Sequence, residues 1–153
     1  MPRPQLSMTN EEIEHFLLEP HIAVLSTIDG RGFPHSVGMY YIPTDEAILM
    51  YPYGKSQKVA NVRRNPRCAV LIEAGTPYAD LRGVLVRGNA SVIDDPEKVF
   101  ALGRDLYQRY WFPTTGVAFE DGPIETVRRQ STKRVCLVIG KEHIASWDHS
   151  KST

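Results

Sequence analysis

The sequence has little cysteine, no excess of charge of either sign and no long hydrophobic run. Its 153 residues include only Cys68 and Cys136, each inside an apolar segment, so we expect buried reduced thiols rather than a disulfide framework. Eighteen basic residues balance eighteen acidic ones, which argues against nucleic acid as a partner. No segment resembles a signal peptide or could span a bilayer, so we expect a soluble, cytoplasmic protein with no membrane partner.

Motifs for catalysis by the protein's own side chains are also missing. The five histidines are scattered, and none has cysteine, aspartate or glutamate at the close spacing of a metal site. There is no recognisable nucleophile motif and no glutamate pair in the context of an acid and a base. The sequence therefore predicts no metal and no catalytic side chain, and an enzyme of this kind relies on a bound cofactor.

Short β-like runs dominate the chain, which has the length and composition of a single domain over residues 1–153. Turn residues separate runs rich in Val, Ile, Leu and Tyr, and so many short strands favour an antiparallel barrel over a parallel sheet. We predict a mainly β fold, a six- or seven-stranded antiparallel barrel. The predicted strands are 21–28, 34–42, 47–53, 67–74, 81–93, 132–139 and 143–147.

Few helices are expected between these strands. Residues 112–123 contain prolines and glycines without periodicity, and we interpret them as a long loop of the kind that is often functional. The glycines at 83 and 88 predict bulges or close backbone approaches within one strand. The helical segments are predicted from the Thr9 capping box to Pro20, from a Ser56 cap to Asn65, from Pro96 to Tyr110, and over 124–130.

The stretch between Gly54 and Arg67 concentrates positive charge in an otherwise neutral protein. It leaves a strand and opens a helix, whose first amides are unpaired and carry a partial positive charge. We interpret it as a phosphate site, with the solvated face of a surface helix as the alternative. The glycine pattern of a P-loop or a dinucleotide-binding turn is missing. The stretch contains Lys55, Lys58, Arg63, Arg64 and Arg67 and no acidic residue.

These residues carry a resemblance to a known family. YPYGKSQKVANVRRNPRCAVLIEA resembles the third strand, phosphate-binding helix and fourth strand of the pyridoxamine 5′-phosphate oxidase-like superfamily of FMN-binding split β-barrels. IAVLSTIDGRGFPHSVGMYYI resembles the first two strands, and HIASWDHSK resembles the C-terminus of the deazaflavin-using, actinobacterial branch. The likeness covers nearly the whole chain and implies a split β-barrel. The C-terminal arginine and histidine motif of true pyridoxamine phosphate oxidases has no match, so pyridoxine chemistry is not implied.

The resemblance implies which residues bind the cofactor. Lys58 matches the family lysine on the cofactor phosphate, with Ser56, Gln57 and Lys55 at the same helix start. Tyr51 matches a strand-end position near the phosphate or the ribityl chain. Three second-strand positions match the backbone that lines the isoalloxazine ring, namely His35, Ser36 and Val37.

The substrate side is implied more weakly. Tyr78, Trp111 and Trp147 are candidates for stacking on a substrate, with structural packing as the alternative for each. The loop that carries Tyr78 reaches, in relatives, toward a cofactor bound mainly by the other subunit, which implies a homodimer. Residues 112–123 are expected to shape the substrate pocket.

The cofactor implied is coenzyme F420, with FMN as the alternative. F420 adds a lactyl-oligoglutamate tail to a ring, ribityl chain and phosphate of the FMN type, so it needs more cations nearby. We expect hydride transfer between F420 and a planar, electron-poor organic substrate. The alternatives are an FMN-dependent oxidase or reductase, a non-catalytic carrier of cofactor or tetrapyrrole, and an interaction barrel without cofactor. Two groups of cations are available for the tail, and the second of them is equally consistent with ordinary surface charge. The first group is Arg63, Arg64 and Arg67, and the second is Arg128, Arg129, Lys133 and Arg134.

Overall fold

The structure is a computed structural model, and it describes residues 5–152. Within this range eight strands form one sheet, and every strand pairing is antiparallel, as predicted. The strands are β1 (Ala23–Ile28), β2 (Pro34–Met39), β3 (Ile42–Pro43), β4 (Ala47–Met50), β5 (Arg67–Ala74), β6 (Arg82–Ile93), β7 (Cys136–Gly140) and β8 (His143–Asp148).

The long strand β6 joins the two halves of the sheet. The strand order is β2-β1-β5-β6-β7-β4-β3, and β8 pairs with β6 outside this path. The first half of β6 pairs with β8 as far as Arg87, and its last residues, from Ala90, pair with β7. Gly88 lies at this change of partner, where a Cβ would collide with the carbonyl group of Gly140. The prediction that Gly88 marks a close backbone approach is therefore confirmed.

The helices cover the sheet on two sides. Helix α1 begins at the predicted capping box, in which Thr9 Oγ1 accepts from the Glu12 amide, and it buries Phe16 and Leu17. Helix α2 buries Val59 and Val62, and Val62 belongs to the same core cluster as Phe16 and Leu17. The helices are α1 (Asn10–Leu18), α2 (Gln57–Arg64), α3 (Pro96–Leu106), α4 (Phe112–Thr115) and α5 (Pro123–Ser131).

The predicted loop over 112–123 is wrong in its first part. Helix α3 continues through a π-helical turn, Tyr107–Trp111, directly into α4, which Gly116 ends with a φ of 65°. Phe119 is buried, and its ring packs on that of Tyr107. This tertiary contact holds the segment in place, and it leaves no periodic pattern in the sequence. Only the stretch between α4 and α5 is irregular, and α5 is a full helix rather than a single turn.

Three strand boundaries differ from the prediction by three residues or more. Strand β2 ends at Met39 rather than at residue 42. Strand β4 ends at Met50 rather than at residue 53, and β7 begins at Cys136 rather than at residue 132. The intervening residues still lie side by side, because the Val135 amide donates to the Pro52 carbonyl at 3.0 Å and Tyr53 forms an isolated bridge with Arg134. A two-residue β3 raises the strand number from the predicted six or seven to eight.

Candidate functional site

The predicted phosphate segment lies where β4 passes into α2, beside the residues that lead into β7. The Gly54 amide donates to the Lys133 carbonyl at 2.9 Å, which continues the bridge between Tyr53 and Arg134. A Cβ at Gly54 would meet the Val135 side chain at 3.3 Å, so glycine allows the two segments to approach. Residues 79 to 81 positions apart in sequence therefore form one wall of the site.

The first turn of α2 is open, but Ser56 does not cap it. The Ser56 hydroxyl donates to the Tyr53 carbonyl at 2.7 Å, and no side chain accepts from the first-turn amides. The expectation that the Ser56 side chain caps α2 is therefore wrong. In residues 5–152 the amides of Gln57, Lys58 and Val59 have no acceptor, so they remain available to an anion.

A buried polar network fixes the position of α2, and sequence reasoning missed it. Asn61 is fully buried, accepts from Gln57 Nε2 at 2.7 Å, and donates through Nδ2 to Thr27 Oγ1 on β1 at 3.0 Å. Thr27 is fully buried as well and pairs with His35 of β2. The only sequence signal was an amide residue between the inward-facing Val59 and Val62. The predicted phosphate-binding and ring-binding segments are thus joined through two side chains.

Arg134 lies in the cluster for which the sequence left two interpretations open, binding of the cofactor tail and ordinary surface charge. Its NH1 donates to the Tyr51 carbonyl at 2.8 Å, and its guanidinium lies 4.9 Å from the centre of the Tyr51 ring and 3.9 Å from that of Tyr53. Its Nε is buried and has no hydrogen-bond partner among the described residues. No carboxylate within residues 5–152 forms an ion pair with Arg134 or with Lys58.

Lys58 and Arg134 influence each other electrostatically. Partial burial lowers the pKa of Lys58 from its ordinary value, and the nearby positive charge of Arg134 lowers it further. Both effects penalise the charged ammonium in the protein alone. A bound anion would oppose both, because it would restore to Lys58 and Arg134 the negative partner that the described chain does not supply.

Two cavities share Arg134 as a lining residue. The first, which we call the aromatic cavity, has a volume of about 730 Å³ and lies between the end of β2, the turn after α3, and α5. The second, which we call the basic cavity, has a volume of about 1120 Å³ and adjoins the start of α2.

The basic cavity gathers part of each predicted cation cluster. Lys55 and Ser56 line it from the α2 side, and Arg128 and Lys133 line it from α5 and its end. Asp94 and Glu97 contribute two acidic groups, so with Arg134 the lining cations outnumber the lining acids. The remaining cations of the two clusters line neither cavity: Lys58, Arg63, Arg64, Arg67 and Arg129. Arg64 instead donates to the Ile28 carbonyl at 3.1 Å and supports the hairpin.

The predicted ring-binding residues lie on a strand that is paired on one side only. Among the described residues β2 pairs with β1 alone, so its outer edge is open. The Ser36 hydroxyl lies 2.9 Å from that of Ser26, and Val37 is opposite Leu25. His35 Nδ1 is buried without a partner among residues 5–152. The strand offers an edge that a cofactor or a second subunit could cover.

The aromatic residues predicted near the site separate into two groups. Tyr51 and Trp111 line the aromatic cavity; the Tyr51 hydroxyl lies 2.6 Å from that of Ser131, and burial raises its pKa. Tyr78 is 71% exposed, and its ring meets His149 edge-on at 4.4 Å. Trp147 packs against Gly83, on β6. Neither Tyr78 nor Trp147 lines the aromatic cavity or the basic cavity.

Other kinds of site receive little support from the described part of the chain. Residues 5–152 contain no group of three or more His, Cys, Asp or Glu side chains that could hold a metal ion. No helix in that range is long and apolar enough to cross a membrane. Cys68 and Cys136 are both free and buried, as predicted.

Comparisons with known proteins agree with this architecture. Residues 9–145 match the family model described as pyridoxamine 5′-phosphate oxidase. A conserved hypothetical protein from Mycobacterium tuberculosis is 34% identical with a TM-score of 0.85, and the match covers 99% of this chain and 91% of that one. A structure named F420 reductase is 25% identical with a TM-score of 0.66, over 86% of this chain and 94% of that one.

Other matches are more distant. The heme storage protein from Vibrio cholerae is 14% identical with a TM-score of 0.67, over 97% of this chain and 99% of that one, which shows a shared fold alone. Comparison with curated protein sequences gave no match. The predicted split β-barrel is confirmed, and the chain belongs to the pyridoxamine 5′-phosphate oxidase family.

Proposed function

We propose that this protein is an oxidoreductase that binds coenzyme F420 and transfers a hydride between it and a planar, electron-poor organic substrate. The observation that carries the proposal is the open first turn of α2, whose amides have no acceptor within residues 5–152, together with two cations, Lys58 and Arg134, that no carboxylate of this range pairs. The likeness to a structure named F420 reductase supports the choice of chemistry.

The residues at this place fit the phosphate of a flavin-type cofactor. A phosphate accepts several hydrogen bonds, and the amides of Gln57, Lys58 and Val59 supply unpaired donors at the positive end of a helix. The Lys58 ammonium and the unpartnered Nε of Arg134 supply charge. The Asn61–Thr27 contact holds these donors in place before any ligand arrives, which reduces the entropy lost on binding.

The basic cavity favours F420 over FMN. It adjoins the start of α2, where Lys55 and Ser56 line it, and Arg128 and Lys133 carry its positive charge further. FMN ends at its phosphate and would leave these cations unused, whereas the carboxylates of an oligoglutamate tail would pair with them. We infer that the tail occupies the basic cavity.

The protein's own part in the reaction is binding, orientation and exclusion of water. The cofactor supplies the hydride chemistry, and no side chain is assigned a proton-transfer role. We propose that the backbone of His35, Ser36 and Val37 lies along the ring, and that a second copy of the chain covers the open edge of β2. Tyr78 and Trp147, which lie away from the cavities of their own chain, would then approach the site of the partner subunit.

Equilibrium binding tests the proposal. Purified protein is titrated with F420 and with FMN, and Lys58→Gln is compared with Arg104→Gln, which removes an exposed charge from α3 outside both cavities. Loss of one charge-assisted hydrogen bond of about 1.5–3 kcal/mol should weaken F420 binding about 10- to 150-fold in Lys58→Gln only. Unchanged F420 affinity in Lys58→Gln would show that the phosphate lies elsewhere.

The same titrations separate the alternatives. Tighter binding of FMN than of F420 would favour an FMN-dependent oxidase or reductase. F420 binding without substrate-dependent oxidation of the reduced cofactor would favour a carrier. If the protein bound neither F420 nor FMN, the remaining alternative would be a barrel that binds another macromolecule and uses no cofactor. Arg128→Gln distinguishes tail binding from phosphate binding. It should weaken F420 binding by an amount that grows with tail length, and it should leave the affinity for FMN unchanged.

A further inference from the structure

The aromatic cavity has the size and walls of a small-molecule site. Its volume of about 730 Å³ falls within the roughly 300–1,000 Å³ range of ligand pockets. Ile22 and Met39 line it from the sheet side, and Leu106, Tyr107 and Trp111 line it from the end of α3 and the π-helical turn. Tyr107 and Trp111 are the first and last residues of the π-helical turn and lie four positions apart, so both face the same wall of the cavity.

This wall is held in place before a ligand binds. The Trp111 ring lies 4.7 Å from that of Tyr40, edge to face, and Tyr40 also packs on Tyr110 at 4.7 Å. The Tyr110 hydroxyl donates to the His21 carbonyl at 2.7 Å. Arg109, in the same turn, donates to the carbonyls of Leu18 and two neighbouring residues at 2.8 Å. Trp111 is nonetheless 41% exposed, so one side of its ring is available to a ligand.

The polar groups of the cavity select the charge of the ligand. Apart from tyrosine hydroxyls, they are Thr126, Gln130 and Arg134, all of which can donate hydrogen bonds. No carboxylate and no lysine line the cavity in the part of the chain that the structure describes. A cationic ligand would meet Arg134 without a compensating acid, whereas an anionic or accepting group would pair with it.

We propose that the aromatic cavity binds a planar aromatic molecule that carries one carboxylate or a comparable acceptor group. The ring lies beside Trp111, and the acceptor group points toward Arg134 and Gln130. The role of this ligand as substrate rests on the proposed function, whereas the binding itself does not. The charge preference follows from Arg134 and the planarity from the aromatic wall.

Intrinsic fluorescence tests the location, because the chain has only two tryptophans. Trp111 lines the cavity and Trp147 packs on Gly83. A nitroaromatic ring quenches indole emission, so 4-nitrobenzoate should quench the wild-type protein saturably. The saturable part should fall strongly in Trp111→Phe and remain largely in Trp147→Phe, even if Trp147 of a second subunit adds a smaller share. Saturable quenching that is lost in Trp147→Phe and fully retained in Trp111→Phe, or is missing from the wild type, would overturn the site.

A matched ligand series tests the charge preference. We expect affinity to fall from 4-nitrobenzoate to neutral 4-nitrotoluene to cationic 4-nitrobenzylamine, which keep the same ring. Arg134→Gln should weaken 4-nitrobenzoate about tenfold or more and leave 4-nitrotoluene unchanged, and Arg104→Gln should alter neither. A cation that binds as tightly as the anion would overturn the ligand class, and the wild-type series decides this even if Arg134→Gln does not fold.

A blocking variant and the cofactor titration complete the test. Thr126 is an exposed residue of α5 at the cavity wall, so Thr126→Phe should fold and reduce binding of all three ligands. Full binding in this variant would contradict the site. If F420 binds through Lys58 and the nitroaromatics do not bind, this inference alone fails. If the nitroaromatics bind and neither F420 nor FMN does, the proposed function alone fails.

Discussion

The buried Asn61–Thr27 pair provides a direct test of how α2 is held against the sheet. Asn61 makes three side-chain hydrogen bonds, accepting from Gln57 at 2.7 Å and from Arg64 at 3.2 Å and donating to Thr27 at 3.0 Å. Asn61→Leu removes all three and leaves the buried Thr27 hydroxyl without its donor. Thr27→Val keeps the shape of the side chain and leaves Asn61 Nδ2 without its acceptor.

Each single substitution should lower the free energy of unfolding by about 1–3 kcal/mol, because each leaves a fully buried polar group without a hydrogen-bond partner. The double variant replaces both partners with apolar groups of similar size, so it should cost less than the sum of the two, with a coupling energy of about 1–2 kcal/mol. In a chain of this length about 1 kcal/mol corresponds to a Tm change of roughly 2–4 °C.

Urea unfolding of the wild type, both single variants and the double variant measures this coupling through the midpoints at constant slope. Ala60 is an exposed neighbour on α2, and Ala60→Ser should change stability by no more than about 0.5 kcal/mol. Additive costs within about 0.3 kcal/mol, or two neutral single variants, would refute the idea that this pair anchors α2.

Three further predictions concern charge, packing and thiol chemistry. Because burial and Arg134 lower the pKa of Lys58 in the folded state, its charge is penalised at neutral pH, so Lys58→Met should raise Tm at pH 7. This gain should vanish above the ordinary lysine pKa of about 10.4, and thermal melts that show a loss at pH 7 would contradict it. Gly88→Ala should lower the free energy of unfolding, measured in urea, by about 1–3 kcal/mol or more. Gly38→Ala should lower it much less, because a Cβ at Gly38 meets only one side chain, at 3.4 Å. Burial raises the pKa of Cys68 to about 11, so mass spectrometry should find it unmodified by iodoacetamide in native protein at pH 8 and alkylated in urea.

Local sequence patterns predicted most of the fold. The capping box at Thr9 and the paired valines of α2 depend on contacts within one turn, and strand β5 has the predicted bounds, Arg67–Ala74. The π-helical turn and α4 could not be predicted in this way. Pro113 and Gly116 are typical of loops, yet the proline lies in the first turn of α4 and the glycine ends it. The packing of Trp111 on Tyr40, 71 positions earlier, is a tertiary contact that no local pattern reports.

The candidate site shows the same limit in chemical terms. Sequence reasoning selected Lys58 because it matches the family lysine on the cofactor phosphate, and it grouped Arg134 with three other cations of a basic cluster. The bridge between Tyr53 and Arg134 brings that arginine to the segment that leads into α2, and the bridge continues the pairing of β4 with β7. The prediction for Ser56 failed for a related reason, because the Tyr53 carbonyl takes its hydroxyl before the helix amides can.

The energetic cost of this arrangement is itself an argument for a ligand. Folding places Lys58 near Arg134 and leaves the Arg134 Nε without a partner, although two acidic residues lie across the adjoining cavity. A protein interior optimised for stability alone would pair such charges or replace them with apolar groups. An anion bound at the proposed site would remove this penalty, so free energy withheld from folding would become available as affinity. An uncompensated pair of cations beside unpaired helix amides is therefore better explained as a prepared anion site than as surface charge.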